Sequence, residues 1–548
     1  VTRITHHEAR ITKHASAAMA SNSQPASNPP SEAGLARSAG VIGLGSIASR
    51  VIGIARETIT SYYFGSSGAL SAYIIASNVP FMLYDLLVGG MLSAALVPVF
   101  SSYAGRERRA ELARIVSAVL SLIGVVLAVV VLLLEVFAVP VANVLGDFED
   151  PALQTVLANC LRLLSPALIL FGLWGGVTGL LYALKRFNYT AFSAAVFNLG
   201  IVVAAPLLAG RIGIYALPIG FLVGAVIQLA VTIPGLRDVR LRFSVAWNHP
   251  AVRHILRLYL PIALGLIVTQ FQIIVDRRWA SAAGAESVSW MRYATTLIQM
   301  PLGLVPVAVS LAALPGMSQR ASVGDWDSFR GIFGRGLRLV LVLLIPATVG
   351  LWVLAEPVIQ VLFEHGAFTA NDTVWTAMAL RLYLFGLMFA GVDFLLNYTF
   401  YARQDTRTPA IVGVIAVGVY FVTALALKGT LGFLGLVLAD STKQFAHAAI
   451  MTILLLGTPA RLHNAAVIKT LVKASAAALV MGAVVALLAR WLPAVLPAGF
   501  LGEAAILLAA GIAGGAIYVL ALRILRVAEV TYLLAPVGRL VARTRRRG

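Results

Sequence analysis

Cysteine occurs once in this 548-residue chain, at Cys160, so no internal disulfide can form and no thiolate metal site can be assembled. A buried, inert thiol is the expected state. Charge is scarce too: 12% of residues are Asp, Glu, Lys or Arg, and 42 basic residues face only 23 acidic ones. Catalytic signatures are missing. No HExxH, GxSxG or Walker pattern occurs, and most histidines fall in the N-terminal tail or at loop edges (His249, His254, His365, His463). No cofactor and no metal is therefore expected, and transport by such a chain would draw on gradients or the membrane potential. Residues 1–36, with "ASNSQPASNPPSEAG", lack the apolar core of a signal peptide and read as a disordered tail. Arg3, Arg10 and Lys13 mark that tail as cytoplasmic.

What is abundant is apolar sequence, at 59% of residues and a mean hydropathy of +0.89. Apolar runs of membrane-spanning length follow one another, which predicts an all-α polytopic membrane protein. Broken at charged and Pro/Gly-rich segments, they give fourteen spans beginning near residues 39, 70, 115, 153, 189, 213, 257, 287, 338, 373, 409, 433, 471 and 502. With the N-terminus inside, the inner segments hold 31 Lys and Arg and the outer loops 3, with 8 inside spans. That excess predicts both termini in the cytoplasm. It also accounts for most of the formal charge of +19 without nucleic acid. The C-terminal "RLVARTRRRG" has the same explanation, with contact to anionic lipid headgroups.

Two stretches match at a constant offset. "NCLRLLSPALILFGLWGGVTGLLYALKRF" from Asn159 aligns with "MALRLYLFGLMFAGVDFLLNYTFYARQDT" from Met378, 219 positions on. Arg162 falls on Arg381, Tyr182 on Tyr401 and Gly213 on Gly432. Earlier landmarks, Pro98 with Pro315 and Pro140 with Pro357, lie 217 apart, and a two-residue insertion in the second copy would reconcile the two. Six spans per copy keep both copies in one orientation, as in transporters that rock two bundles around a central cavity. The expected division is a tail (1–36), an N-lobe (37–236), a C-lobe (237–460), a two-helix appendage (461–526) and a basic tail (527–548).

The first span carries unexpected charge: "SRVIGIARET" places Arg50, Arg56 and Glu57 in hydrocarbon. On a helix turning about 100° per residue, with Gly53 at zero, Arg50 sits near +60°, Arg56 near −60° and Glu57 near +40°. Two guanidinium groups thus flank a bare glycine and leave room for a ligand. Gly45, Ser49 and Gly53 form a small-residue ridge that permits close helix approach. A central arginine costs roughly 2.5–3.5 kcal/mol to bury, which a hydrated cavity relieves. The planar fork of guanidinium suits phosphate. The competing reading is internal pairing, Arg50 with Asp85 or Glu57 and Arg56 with Asp276. In the second half, Asp276, Arg277 and Arg278 lie near the outer end of span 7 and Arg292 near that of span 8, where Arg278 and Arg292 could instead snorkel to headgroups. Asp393, Asp440 and Lys443 are weaker candidates, Asp440 and Lys443 being spaced for a local pair. Glu135 and Glu356 are expected to be solvated, and Trp174, Trp290 and Trp352 to pack.

The segments "SRVIGIARETITSYYFGSSGALSAYIIASNVP", "GGMLSAALVPVFSSY", "VLFEHGAFTANDT", "FYARQDTRTP" and "LGFLGLVLA" resemble successive signatures of the MurJ (MviN) family of bacterial lipid II flippases, within the MOP exporter superfamily. The resemblance runs from about residue 38 to 526. It implies two six-helix lobes in a V, a lipid-associated groove from the last two helices, and a cytoplasmic-membrane location. It implies that Arg50 and Arg56 contact the pyrophosphate and headgroup of a lipid-linked peptidoglycan precursor, with Glu57 completing their motif, and it matches Asp276-Arg277 to an Asp-Arg of the family. Three positions depart from the pattern. Ser71 stands in place of an acidic residue, Tyr84-Asp85 in place of basic ones, and Thr296 where the family has an arginine. Arg292, one turn from Thr296 on the same face, is the candidate replacement.

The expected function is translocation of lipid II by alternating access, with Arg50, Gly53, Arg56, Glu57, Asp276, Arg277 and Arg292 as substrate-site residues. The partners implied are the undecaprenyl-pyrophosphate-linked oligosaccharide, membrane lipids and cell-wall synthesis enzymes. Three alternatives stay open: a flippase for another polyprenyl-pyrophosphate glycan, a cation-coupled MOP drug exporter, and a transport-dead envelope scaffold.

Overall fold

A computed structural model of the chain describes residues 32–530 except 90, 92–94, 462, 463 and 498. The segments 1–31 and 531–548, expected as tails, lie outside the described residues, as does His463. Every regular element among the described residues is helical. In chain order the α-helices are α1 (Glu32–Phe64), α2 (Gly68–Tyr84), α3 (Val97–Ser102), α4 (Arg109–Val136), α5 (Ala138–Leu145), α6 (Pro151–Leu164), α7 (Ala167–Ala183), α8 (Ser193–Ile212) and α9 (Ala216–Thr232). They continue as α10 (Pro250–Ala283), α11 (Ser287–Ser322), α12 (Trp326–Val353), α13 (Ala355–Phe363), α14 (Ala370–Ala402), α15 (Arg407–Leu431), α16 (Phe433–Leu456), α17 (Asn464–Trp491) and α18 (Phe500–Ile524). By length and composition, nine helical segments among the described residues can cross a membrane, or ten when the bent pair α6 and α7 counts as one span. Helices satisfy their own backbone polar groups, which is why hydrocarbon admits them.

Local chemistry sets the ends and breaks. Thr369 closes a reciprocal capping box with Asp372 at the start of α14, and Asp150 and Asp325 cap α6 and α12. Pro166, which lacks a backbone donor, sits at the 41° bend between α6 and α7. Its counterpart 219 residues on is Phe385, and α14 runs through that position unbroken.

The repeat is visible in the backbone. Helices α1 and α10 end at Phe64 and Ala283, and α2 and α11 begin at Gly68 and Ser287, both 219 apart. Helices α4 and α12 begin 217 apart, and α6 and α14 begin 219 apart again. The second copy is thus two residues shorter before the α4 position and regains them between α5 and α6, so a single insertion does not describe it. Non-glycine residues with positive φ recur in register, Lys185 at 58° and Gln404 at 61°, and Gly213 and Gly432 share φ of 58° and 57°.

Two edges differ from the expected divisions. Helix α1 begins at Glu32, inside the stretch read as irregular, because good helix formers (Glu32, Ala33, Leu35, Ala36) follow Pro29-Pro30. After α18, Val527, Glu529 and Val530 are buried, and Arg338 of α12 donates to Glu529 at 2.5 Å. Tyr518 of α18 donates to the Val342 carbonyl at 2.7 Å, so the last two helices dock on α12. In the first half, Phe81, Phe171, Phe197 and Phe221 form an aromatic cluster with ring centroids 4.9–6.0 Å apart. Outside the spans, Arg186 grips Asp238 through two bonds of 2.5 and 2.6 Å, and that guanidinium holds the Asp238 carboxyl below its usual range.

Candidate functional site

Helix α1 supplies one wall of the site, and glycine lets it approach α8. A Cβ on Gly45 would fall 1.9 Å from the Ala191 carbonyl oxygen. Leucine at Gly45 is therefore expected to push α1 off the start of α8, costing about 1–3 kcal/mol as overpacking; a lowered unfolding temperature of the purified protein checks it. Gly53 is different: a Cβ there meets only Asn198 Nδ2, at 3.9 Å. Its surroundings are open because it faces a cavity.

That cavity has a volume of about 470 Å³ and is lined by Arg50, Gly53 and Arg56 from α1, by Tyr182 of α7, Thr190 just before α8 and Ala194 of α8, and by Arg292, Thr296 and Gln299 from α11. Arg56 donates through Nη1 to Asn198 Oδ1 at 2.9 Å and through Nη2 to Glu57 Oε1. Arg292 reaches the same oxygen through Nε at 3.1 Å and Nη2 at 2.9 Å. Glu57 is buried, while the side chains of Arg56 and Arg292 keep 16% and 32% exposure, so both cations still face the cavity. Arg50 donates to the Gln299 carbonyl at 3.0 Å. It passes over Gly303, where a Cβ would lie 2.1 Å from Nη2. Three arginines against one glutamate leave a net charge of +2 around a concave wall with hydroxyl donors, which is chemistry for a polyvalent anion.

The arginines at ±60° around Gly53 thus line one cavity, and Arg292 joins them from α11. Arg292 does not snorkel to a headgroup level: it turns inward because the buried Glu57 carboxylate attracts it. The expected internal pairs do not form. Arg50 takes a carbonyl rather than Asp85 or Glu57, and Arg56 pairs with Glu57 rather than Asp276. Asp276 and Arg277 lie in a separate cluster, where Tyr420 donates to Asp276 at 2.5 Å and Arg277 stands 3.9 Å from its carboxylate. Asp276 occupies the position 219 residues from Glu57, so each half carries one carboxylate at the same point of its first helix, Glu57 buried and Asp276 partly exposed. Asn198, Gln299 and Gly303 went unread in the sequence. Only Asn198, a polar residue inside an apolar run, carried any signal.

Other expectations resolve individually. Lys443 pairs with Asp440 at 2.5 Å, Cys160 is buried, and Trp290 packs on Trp375 while donating to Asp372. Arg278 binds Asp147 at 3.1 Å and the Asn143 carbonyl. Glu135 is not simply solvated: it accepts from Ser165 at 2.5 Å, and Glu356 pairs with Arg381 at 3.0 Å.

Beyond the cavity, "FGSSG" and "FEHGAF" clasp. Ala367 donates to the Tyr62 carbonyl at 2.8 Å and Tyr293 to the Gly65 carbonyl at 2.8 Å. Gly65 and Gly366 have φ of 58° and 63°, and Cβ atoms on them would lie 2.4 and 2.3 Å from the facing carbonyl oxygens. Ser71 and Ser289 meet beside them at 2.9 Å.

Comparison with known proteins identifies the family. The family model described as "Lipid II flippase MurJ" matches residues 60–509, beginning just after Glu57. A lipid II flippase MurJ of Burkholderia cenocepacia is 30% identical over 388 residues, covering 69% of this chain and 75% of the relative. A probable lipid II flippase MurJ of Thermotoga maritima is 28% identical over 446 residues, covering 81% and 89%. Among solved structures, a lipid II flippase MurJ in an inward closed conformation superposes with a TM-score of 0.75 at 25% identity, covering 88% of this chain and 98% of that one. An inward-facing MATE multidrug transporter of the MOP superfamily shares the fold, with a TM-score of 0.61 at 14% identity, covering 74% and 93%. This multi-pass membrane protein belongs to the MurJ family of lipid II flippases.

Proposed function

We propose that the chain moves lipid II from the inner to the outer leaflet of the bacterial cytoplasmic membrane by alternating access, holding the pyrophosphate between Arg50, Arg56 and Arg292. The observation that carries this reading is the cavity with net charge +2 between α1, α8 and α11. Arg292 stands in for the arginine absent at Thr296: both line the same cavity, one turn apart. A largely apolar groove of about 630 Å³ between α12, α14 and α17, lined by Trp352, Phe385, Phe389 and Leu479, fits a polyprenyl chain. Fourteen spans are reached by counting α6 and α7 as one, dividing 187–236 at Gly213–Tyr215, and adding the long helices α1, α10 and α16. Helices 1–6 and 7–12 of that count form the two lobes, and the 31-to-3 excess of basic residues puts both termini in the cytoplasm. Export of a dianionic headgroup is then favoured by about 2.3 kcal/mol per charge per 100 mV, inside negative.

Complementation tests the reading. A bacterium depleted of its own lipid II flippase should grow when supplied with this chain and fail with Arg50→Ala or Arg56→Ala at equal membrane abundance. Growth sustained by both variants would leave the scaffold reading standing instead.

A further inference from the structure

The two halves of the fold diverge chemically at matched positions. At the offset of 219, Trp174, Phe221, Gly224 and Gln228 of the first half correspond to Asp393, Asp440, Lys443 and His447 of the second. The first half fills this region with its phenylalanine cluster, whereas the second threads it with ionisable side chains. Asp440, Lys443 and His447 follow one another at i, i+3 and i+7 along one face of α16, a rise of about 10 Å. At the end of this series His447 Nδ1 lies 2.6 Å from Asp393 Oδ1 of α14. Asn397 donates to the second Asp393 oxygen at 2.9 Å. The histidine and aspartate side chains are 13% and 14% exposed, and no other ion pair reaches either of them among the described residues.

An Asp–His pair inside a membrane helix bundle has two charge states of similar geometry. With the imidazole protonated the pair is neutral overall; with it neutral the pair carries −1. Histidine is the side chain whose ordinary charge change falls between pH 5 and 8, and Asp/His series within membrane helices mark proton paths. The surroundings are defined on every side. Helix α16 presents Lys443, bound to Asp440, one turn from His447. Helix α14 adds Tyr398 and Tyr401. Helix α15 faces the ring with Gly413, where a Cβ would stand 3.9 Å from Nε2, and carries Tyr420, bound to Asp276. Helix α10 brings Asp276 and Arg277, paired with each other. Of the helices packed on α14, α11 brings Arg292 and Arg320, held by Glu57 and Asp325, and α12 brings Arg335 and Arg338, the latter held by Glu529.

We propose that the Asp393–His447 pair takes up and releases one proton in each transport cycle, so that export of the lipid-linked anion is coupled to proton exchange. The inference rests on the flippase reading and divides labour between the halves: the anion binds against α1, the proton between α14 and α16. When the proton leaves, the second half gains one negative charge at the α14–α16 contact, which changes the energy of that contact with each cycle.

The full-length chain reconstituted in vesicles with fluorescently labelled lipid II provides the test. The wild-type flipping rate should change at least about threefold between about pH 6 and about pH 8. His447→Gln and Asp393→Asn should each flip at a rate that no longer varies with pH. A wild-type rate independent of pH, or a pH profile that survives either substitution, overturns the proton assignment and leaves the flippase reading intact. Absence of wild-type flipping at every pH overturns the flippase reading itself. Should both variants fail to fold, proton exchange by the wild-type protein on addition of lipid II, read with a pH dye in weak buffer, decides: about one proton per protein is expected, and none contradicts the proposal.

Discussion

Alanine at Glu57 is expected to destabilise the protein by about 3–5 kcal/mol and to abolish export, because it strips one carboxylate from between two arginines. Glu57 Oε1 accepts from Arg56 and Arg292 together, and Glu57 itself is only 5% exposed. Without it two guanidinium groups from different helices face each other in a low-dielectric setting. Alanine at Arg292 is milder for stability, since Arg56 remains to satisfy the carboxylate. It should nonetheless reduce export, because Arg292 lines the same cavity as Arg50 and Arg56. The double variant Glu57→Ala with Arg292→Ala is expected to recover part of the stability lost by Glu57→Ala alone, as coupled neighbours do. Thermal unfolding of the three purified variants separates these effects. Additive losses would show that the shared oxygen couples nothing. If Arg292→Ala leaves transport intact while Arg56→Ala abolishes it, Arg292 does not replace the family arginine.

Valine at Gly366 is expected to open the clasp. The position combines a φ of 63° with a facing Tyr62 carbonyl oxygen 2.3 Å from where a Cβ would sit. Backbone strain alone in that region costs about 1–3 kcal/mol for a residue with a side chain. Gly432 separates the two contributions: its φ is 57°, yet a Cβ there meets nothing within 4 Å. Alanine at Gly432 should therefore lower stability modestly and leave the clasp shut, whereas Gly366→Val should both destabilise and separate the turns. Spin labels at Tyr63 and Asn371 report the difference as a longer inter-label distance in Gly366→Val only. An unchanged distance would show that Gly366 does not hold the two turns together.

Much of this architecture was legible in the chain because hydrocarbon imposes simple rules. Apolar runs of fixed length had to be helices, and the duplicated landmarks at Arg162 and Arg381 or Gly213 and Gly432 announced the repeat. The backbone adds what residue matching missed, the return to a 219-residue offset at the first helix pair. The charged face of α1 was also legible, since three residues on one helix have angular positions fixed by sequence spacing alone. Partners on other helices were not. Arg50 reaches a backbone carbonyl through a gap left by Gly303, and Arg56 finds Asn198, 142 residues away. No local pattern encodes which helix face meets which, so plausible charge pairs such as Arg50 with Asp85 gave way to packing. Arg292 fitted either a headgroup anchor or a cavity residue, because it lies near a span end; the position of Glu57 in space turns it inward.

The central claim, that the cationic cavity along α1 carries the pyrophosphate of lipid II, is tested most directly by flipping of fluorescently labelled lipid II in vesicles containing the purified chain, with Arg56→Ala as comparison. The account predicts rapid loss of fluorescence to an externally added quencher with the wild-type protein and none above empty vesicles with Arg56→Ala reconstituted to the same amount. Equal rates for the two proteins would contradict it.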